Sequence, residues 1–116
     1  PRWPDIHEPL LKLIEGRLMV IYTAEFDLRM LAQAASQHRL PWPEVVRRTG
    51  AMTRLENDTV AHCAMLEYTR FCGAARWQSL GKACQQQGIE VVGAHRALAD
   101  CRMTLGVVRA MAGHAQ

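Results

Sequence analysis

The chain of 116 residues lacks any apolar run near the roughly 18 residues that a membrane-spanning helix needs, so no segment reads as a transmembrane anchor. No charged start followed by an apolar stretch and a small-residue cleavage site opens it, so no secretory signal is read. Paired C-x-x-C spacing is missing. Cys63, Cys72, Cys84 and Cys101 stand apart, which argues against a zinc site. A chain able to build a helical core has no need of a disulfide framework. The four thiols are expected to pack as small hydrophobes in a reducing, cytoplasmic compartment. Lysine is nearly absent: Lys12 and Lys82 are the two lysines among 14 cations. Arginine suits bidentate phosphate contacts, although codon bias produces the same skew. Internal repeats and low-complexity tracts are also missing.

What remains is ordinary globular material. Hydrophobic residues make up 49% and charged residues 22%, which excludes wholesale disorder. The net charge of +3 is mildly basic and compatible with a polyanionic partner. The length allows one domain. The first residue is Pro1 rather than methionine, and further residues are expected before it.

The hydrophobic pattern predicts a helix over 5–15, with Ile6, Leu10, Leu13 and Ile14 on one face and Gly16 as its stop. Leu18 to Tyr22 is a short, continuous apolar run that reads as a buried strand. Thr23 is a candidate cap for a following helix that runs to about His38. Leu40-Pro41-Trp42-Pro43 breaks that helix. Residues 44–58 are polar and poorly periodic, and read as loop. A second short strand is expected over 59–63, then a helix over 65–71 ended by Gly73 and another over 77–87 ended by Gly88. The last helix follows Gly93, with Leu98, Cys101, Leu105, Val108 and Ala112 as its expected core face. Trp42 and Trp77 are expected to be packing residues. Two parallel strands with a helical crossover form a minimal βαβ unit, which is marginal alone. The chain therefore reads as the later, helix-rich part of an α/β domain with further strands upstream.

Three side chains stand out chemically. Asp27 lies just past the first strand, where open α/β sheets bind ligands. It shares a helical stripe with Leu31, Ala34 and Ala35. A carboxylate heading an apolar stripe needs a partner, and a metal ion would serve. The helix dipole alone also favours an acid in a first turn. His95 and Asp100, five residues apart, would lie about 140° apart on one helix. They converge only if His95 sits in the loop before the helix. Asp100 falls on the flank with Ala97, Thr104 and Val107, beside the expected core face. A turn histidine bonded to backbone and a surface acid on a flank are the plainer alternatives.

Together these segments resemble two motifs of the DEDDh-type 3′–5′ exonucleases, the DnaQ-like proofreading family with an RNase H-like fold. Thr23-Ala24-Glu25-Phe26-Asp27 followed by Leu31 is similar to the family's second motif, with Thr23 where asparagine is usual. His95-Arg96-Ala97-Leu98-Ala99-Asp100 followed by Thr104 is similar to the third. Cys63-Ala64-Met65, Tyr68, Gly73 and the stretch from Trp77 to Ile89 resemble the elements between them. The family's first motif, D-x-E, has no counterpart. Among the eleven acids, Glu25/Asp27 and Glu56/Asp58 show that spacing only in reversed order. It is expected upstream of Pro1, on the strands the layout also lacks.

The resemblance implies an RNase H-like α/β fold, here a partial exonuclease domain over 1–116 with about two parallel strands. It implies hydrolysis of phosphodiester bonds at the 3′ end of single-stranded DNA or RNA. Two divalent cations, Mg2+ or Mn2+, would sit about 3.5–4 Å apart. Asp27 and Asp100 are then metal ligands and His95 is the general base. Phe26 is a candidate wall for the terminal nucleotide, a position that fits core packing as well. A polymerase or a second copy of the chain is the further partner this reading admits. Half of the acid set is missing, so the segment alone is expected to be inactive. The alternative is a non-catalytic remnant of the fold that binds nucleic acid or protein.

Overall fold

The computed structural model describes residues 2–91, 93 and 96–114. The elements, in order, are α1 (Trp3–Ile14), β1 (Leu18–Ile21), α2 (Ala24–Gln37), β2 (Val45–Thr49), β3 (Met52–Leu55), β4 (Val60–Cys63), α3 (Ala64–Phe71), α4 (Leu80–Gln86) and α5 (Ala97–His114). They fall into two compact units, Pro1–His62 and Cys63–Gln116. No helix among the described residues is long and apolar enough to cross a membrane.

In the first unit, α1 turns Trp3, His7, Leu10, Leu11 and Ile14 inward, with His7 and Ile14 buried. The expected face was therefore displaced: Ile6 and Leu13 are exposed. The reason lies after α2. Pro41-Trp42-Pro43 ends that helix and folds back, so that Pro41 O lies 2.6 Å from His7 Nε2 and the Trp42 ring tilts against Trp3 at 6.5 Å. A histidine with a carbonyl partner is a better inward residue here than an isoleucine on the neighbouring flank. The α1 C-terminus is closed by the buried Thr59, whose hydroxyl donates to Ile14 O at 2.8 Å. Gly16 then takes a left-handed φ of 67° and leads into β1.

The sheet has four strands in the order β1-β4-β3-β2. β2–β3 and β3–β4 are antiparallel, and the sheet as a whole is mixed. Two strands were expected; the hairpin β2–β3 adds the other two, in the stretch read as loop. Its signal was hidden because all five residues of β2 are exposed, which leaves no inside–outside alternation to read. Gly50, with φ 59°, stands first in the two-residue turn between Thr49 and Met52, the placement of a type II′ hairpin. The core on one face joins Leu28 of α2 to Leu55 and Ala61, with Met19 and Ile21 packed against them. β1 is not buried on both faces: Leu18 is 58% exposed and Val20 is exposed beside it.

In the second unit, α3 and α4 each pack on α5. Tyr68 is fully buried; its hydroxyl donates to Gln86 Oε1 at 2.7 Å and accepts from Gln87 Nε2 at 3.1 Å. α4 begins at Leu80 rather than Trp77 because Ser79 caps it, accepting from Lys82 N at 3.1 Å. Trp77 is consequently outside the helix and 66% exposed, which corrects its reading as a packing residue. The thiols divide: Cys63 and Cys84 are buried, whereas Cys72 and Cys101 are exposed. On α5, the residues turned inward are Met103, Thr104 and Val107. Leu98, Cys101 and Leu105 are exposed, so the expected core face was one residue out of phase.

Candidate active site

β1 delivers the chain to α2 across only Tyr22 and Thr23. Tyr22 is buried and anchors the turn. Asp27 is the fourth residue of α2, and its N–H donates to Thr23 O at 3.0 Å, closing the first helical turn. Its carboxylate is half-buried beside Leu28. Thr23 is at the cap position, yet its hydroxyl bonds no backbone N–H of the helix. It donates instead to Asp27 Oδ1 at 3.3 Å. The residue expected to cap the helix thus serves the acid, a role that the i,i+4 spacing of a hydroxyl and a carboxylate could have signalled.

Partial burial pushes the Asp27 carboxyl above the usual carboxylate range, and the Thr23 hydroxyl offsets this only in part. Among the described residues no basic side chain pairs with it. A hard oxygen donor held partly out of water without a cation nearby has the character of a divalent-ion ligand. Glu25, two residues earlier, is exposed, and its Oε1 lies 3.8 Å from Arg48 Nη1, a solvated contact. Phe26 is 57% exposed, which corrects the core-packing alternative and leaves an apolar ring on the surface next to Asp27.

Asp100 occupies the corresponding place in the second unit. It is the fourth residue of α5, and its N–H donates to Arg96 O at 2.9 Å. It is half-buried, and the residues three, four and seven positions on, Met103, Thr104 and Val107, are all buried. The flank to which the pattern assigned Asp100 is therefore the inward face itself. Thr104 Oγ1 donates to Asp100 O at 2.8 Å, a backbone contact that lets a polar residue occupy that face. His95 lies outside the described residues. Among the described residues, no group of three or more His, Cys, Asp or Glu side chains gathers into a metal-holding cluster. The oxygen chemistry of Asp27 fits a divalent cation; the described ligand set is incomplete.

Comparison with known proteins gives two findings. A family model described as Exonuclease matches residues 1–108. The chain is also 36% identical over 119 residues to "Uncharacterized exonuclease CP81" of Escherichia phage 186, an alignment that covers 97% of this chain and 57% of that protein. The chain thus spans little more than half the length of this relative. No solved structure matches.

Proposed function

The chain belongs to the DnaQ-like exonuclease family, and from that premise we propose that it carries half of the metal site of a 3′–5′ exonuclease acting on single-stranded nucleic acid. The observation that carries the reading is the matched setting of two acids. Asp27 and Asp100 each stand fourth in a helix, half-buried at the head of its inward face. The helix dipole alone favours an acid in a first turn; a bound cation would in addition offset the cost of holding the Asp27 carboxylate partly out of water.

In this reading Asp27 and Asp100 would hold Mg2+ or Mn2+ through their carboxylate oxygens. Bound divalent cations supply Lewis-acid charge stabilisation to a phosphodiester undergoing displacement. Thr23 holds Asp27 Oδ1 in place by its 3.3 Å hydrogen bond. The imidazole of His95 would take the proton from the attacking water as general base. The exposed ring of Phe26 offers a terminal base an apolar surface on which to lie. No acid of the chain stands in D-x-E order, so the remaining two ligands come, in this proposal, from outside these 116 residues. Four cysteines outside any disulfide suit a cytoplasmic setting.

The test uses the full-length protein and a single-stranded oligonucleotide labelled in turn at each end. The expected result is a ladder that shortens from the 3′ end with Mn2+ or Mg2+ and stops with EDTA. Release of the 5′ label first would overturn the polarity. A folded protein that binds the strand but never shortens it, with either ion, would instead support the non-catalytic remnant.

A further inference from the structure

We propose that the β2–β3 hairpin is an arginine arm that grips the sugar–phosphate backbone of the nucleic-acid strand whose end reaches Asp27. The inference rests on the exonuclease reading but draws on residues that reading does not use.

Charge is sorted along the hairpin. Residues 45–55 contain Arg47, Arg48 and Arg54 and no acid. The acids Glu44 and Glu56 sit at its base, joined by the Glu44 N–H to Glu56 Oε1 at 3.0 Å and the Glu56 N–H to Glu44 O at 2.9 Å. The arginines therefore lie toward the turn. Strand direction says which edge of the sheet that turn occupies. β2 and β4 both run antiparallel to β3, so β2 ends where β4 ends. In a mixed sheet with these two antiparallel pairings, β1 runs with β4. The turn at Gly50 and Ala51 thus projects from the carboxyl edge, the edge at which β1 feeds Asp27. The contact between Arg48 Nη1 and Glu25 Oε1 at 3.8 Å ties the hairpin to the first turn of α2, two residues before Asp27.

Folding does not require this arrangement. Arg47 and Arg54 are direct cross-strand partners, and like charges so placed are unfavourable. All of β2 is exposed, so no packing compensates. Guarding an edge strand against foreign pairing takes charge, but not charges set opposite each other. Arg54 is answered by Asp58, Nη2 to Oδ1 at 2.7 Å. Arg47 has no partner among the described residues, and the exposed Arg48–Glu25 contact is loose enough to exchange for a phosphate. Guanidinium groups bind phosphate oxygens bidentately, and contacts to phosphates are independent of base sequence.

The experiment is fluorescence anisotropy of the full-length protein with a labelled single strand of about 20 nucleotides in EDTA, where no cleavage occurs, across a salt series. The Arg47→Ala/Arg48→Ala double variant should weaken binding about tenfold at low salt and flatten the log Kd against log salt slope by about 1.4, or 0.7 per lost phosphate contact. Arg47→Lys/Arg48→Lys should keep the slope. Arg54→Ala, whose charge Asp58 already balances, should change it less. Melting curves confirm that each variant is folded. An unchanged slope in the folded double variant overturns the proposal, as does a wild-type protein that binds no strand or that binds polyglutamate as tightly. Arginine-dependent binding without degradation under any divalent ion would leave the arm standing and sink the exonuclease reading. Degradation with an unchanged slope would do the reverse.

Discussion

Two helix starts in different units of this chain are built alike and supported differently. α2 and α5 both begin with alanine and place aspartate fourth, and each aspartate N–H closes the first turn onto the residue before the helix. Around the acids the threonines differ. Thr23, one turn before Asp27, gives its hydroxyl to the carboxylate. Thr104, one turn after Asp100, gives its hydroxyl to the backbone carbonyl. The same residue type thus positions a side chain in one unit and satisfies the helix in the other. What is shared between the two sites, an acid heading an inward face, is the part on which the proposed metal binding rests. What differs is local support.

The largest effect should come from removing the shared part. In the full-length protein, Asp27→Ala and Asp100→Ala should each nearly abolish cleavage of a 3′-end single strand, since each removes a proposed oxygen ligand. If one of the two folded variants retained wild-type rates, the equivalence of the sites would be broken. His95→Ala should follow, with a loss on the order of 10²–10⁴-fold in kcat for a general base. Its titration with Mn2+ by calorimetry should remain close to that of the parent, unlike the aspartate variants. A folded His95→Ala protein as fast as the parent would remove the histidine from the mechanism.

The threonines sharpen the contrast. Thr23→Val deletes the hydroxyl that partly counters the upward push on Asp27, so the acid limb of the pH–rate profile should move to higher pH and the rate near neutrality should fall by about three- to tenfold. Thr104→Val should leave both the profile and the rate within about twofold, because its hydroxyl serves only backbone. Equal responses to the two changes would mean that Thr23 is a helix-end residue and nothing more.

The smallest effect is on stability. The folded protein holds the Asp27 proton more tightly than the unfolded chain does. The stability this gives is therefore complete below the ordinary carboxylate pKa and is lost as pH rises through the elevated folded value. At neutral pH in EDTA the ionised Asp27 is a burden, and Asp27→Asn should melt about 1–3 °C higher than the parent. The gap should close as pH falls toward 4. A melting temperature that fell at pH 7 would show that the carboxylate has a stabilising partner in the metal-free protein.

How much of this could be read beforehand depended on how one-sided each segment is. Leu18 to Tyr22 followed by the α2 stripe was legible because a short apolar run gives way to a clear helical period, with Asp27 fixed in register by Leu28 and Ala35. The β2–β3 hairpin was not, because a strand exposed at every position has no face to betray it. The phase of α5 is hidden for the opposite reason. Apolar residues occur around most of its circumference, so Leu98, Cys101 and Leu105 made as good a stripe in sequence as Met103 and Val107. Only Thr104, whose polar group is answered by Asp100 O, shows which stripe is inside, and a buried threonine is invisible to hydrophobicity. On α1, His7 outranked Ile6 because a carbonyl 34 residues away waits for its ring nitrogen.

The two ends of the sheet also differ in what they would allow to join them. At β2 the strand carries two adjacent arginines and a register shift between Val45 and Arg47, both of which discourage a newcomer from zipping alongside. At β1, the other end of the sheet order, the sequence is Leu-Met-Val-Ile, which carries no charge. The two outer strands therefore differ in how strongly they repel a foreign strand: charge and an irregular register guard β2, whereas β1 has apolar side chains alone to present to one.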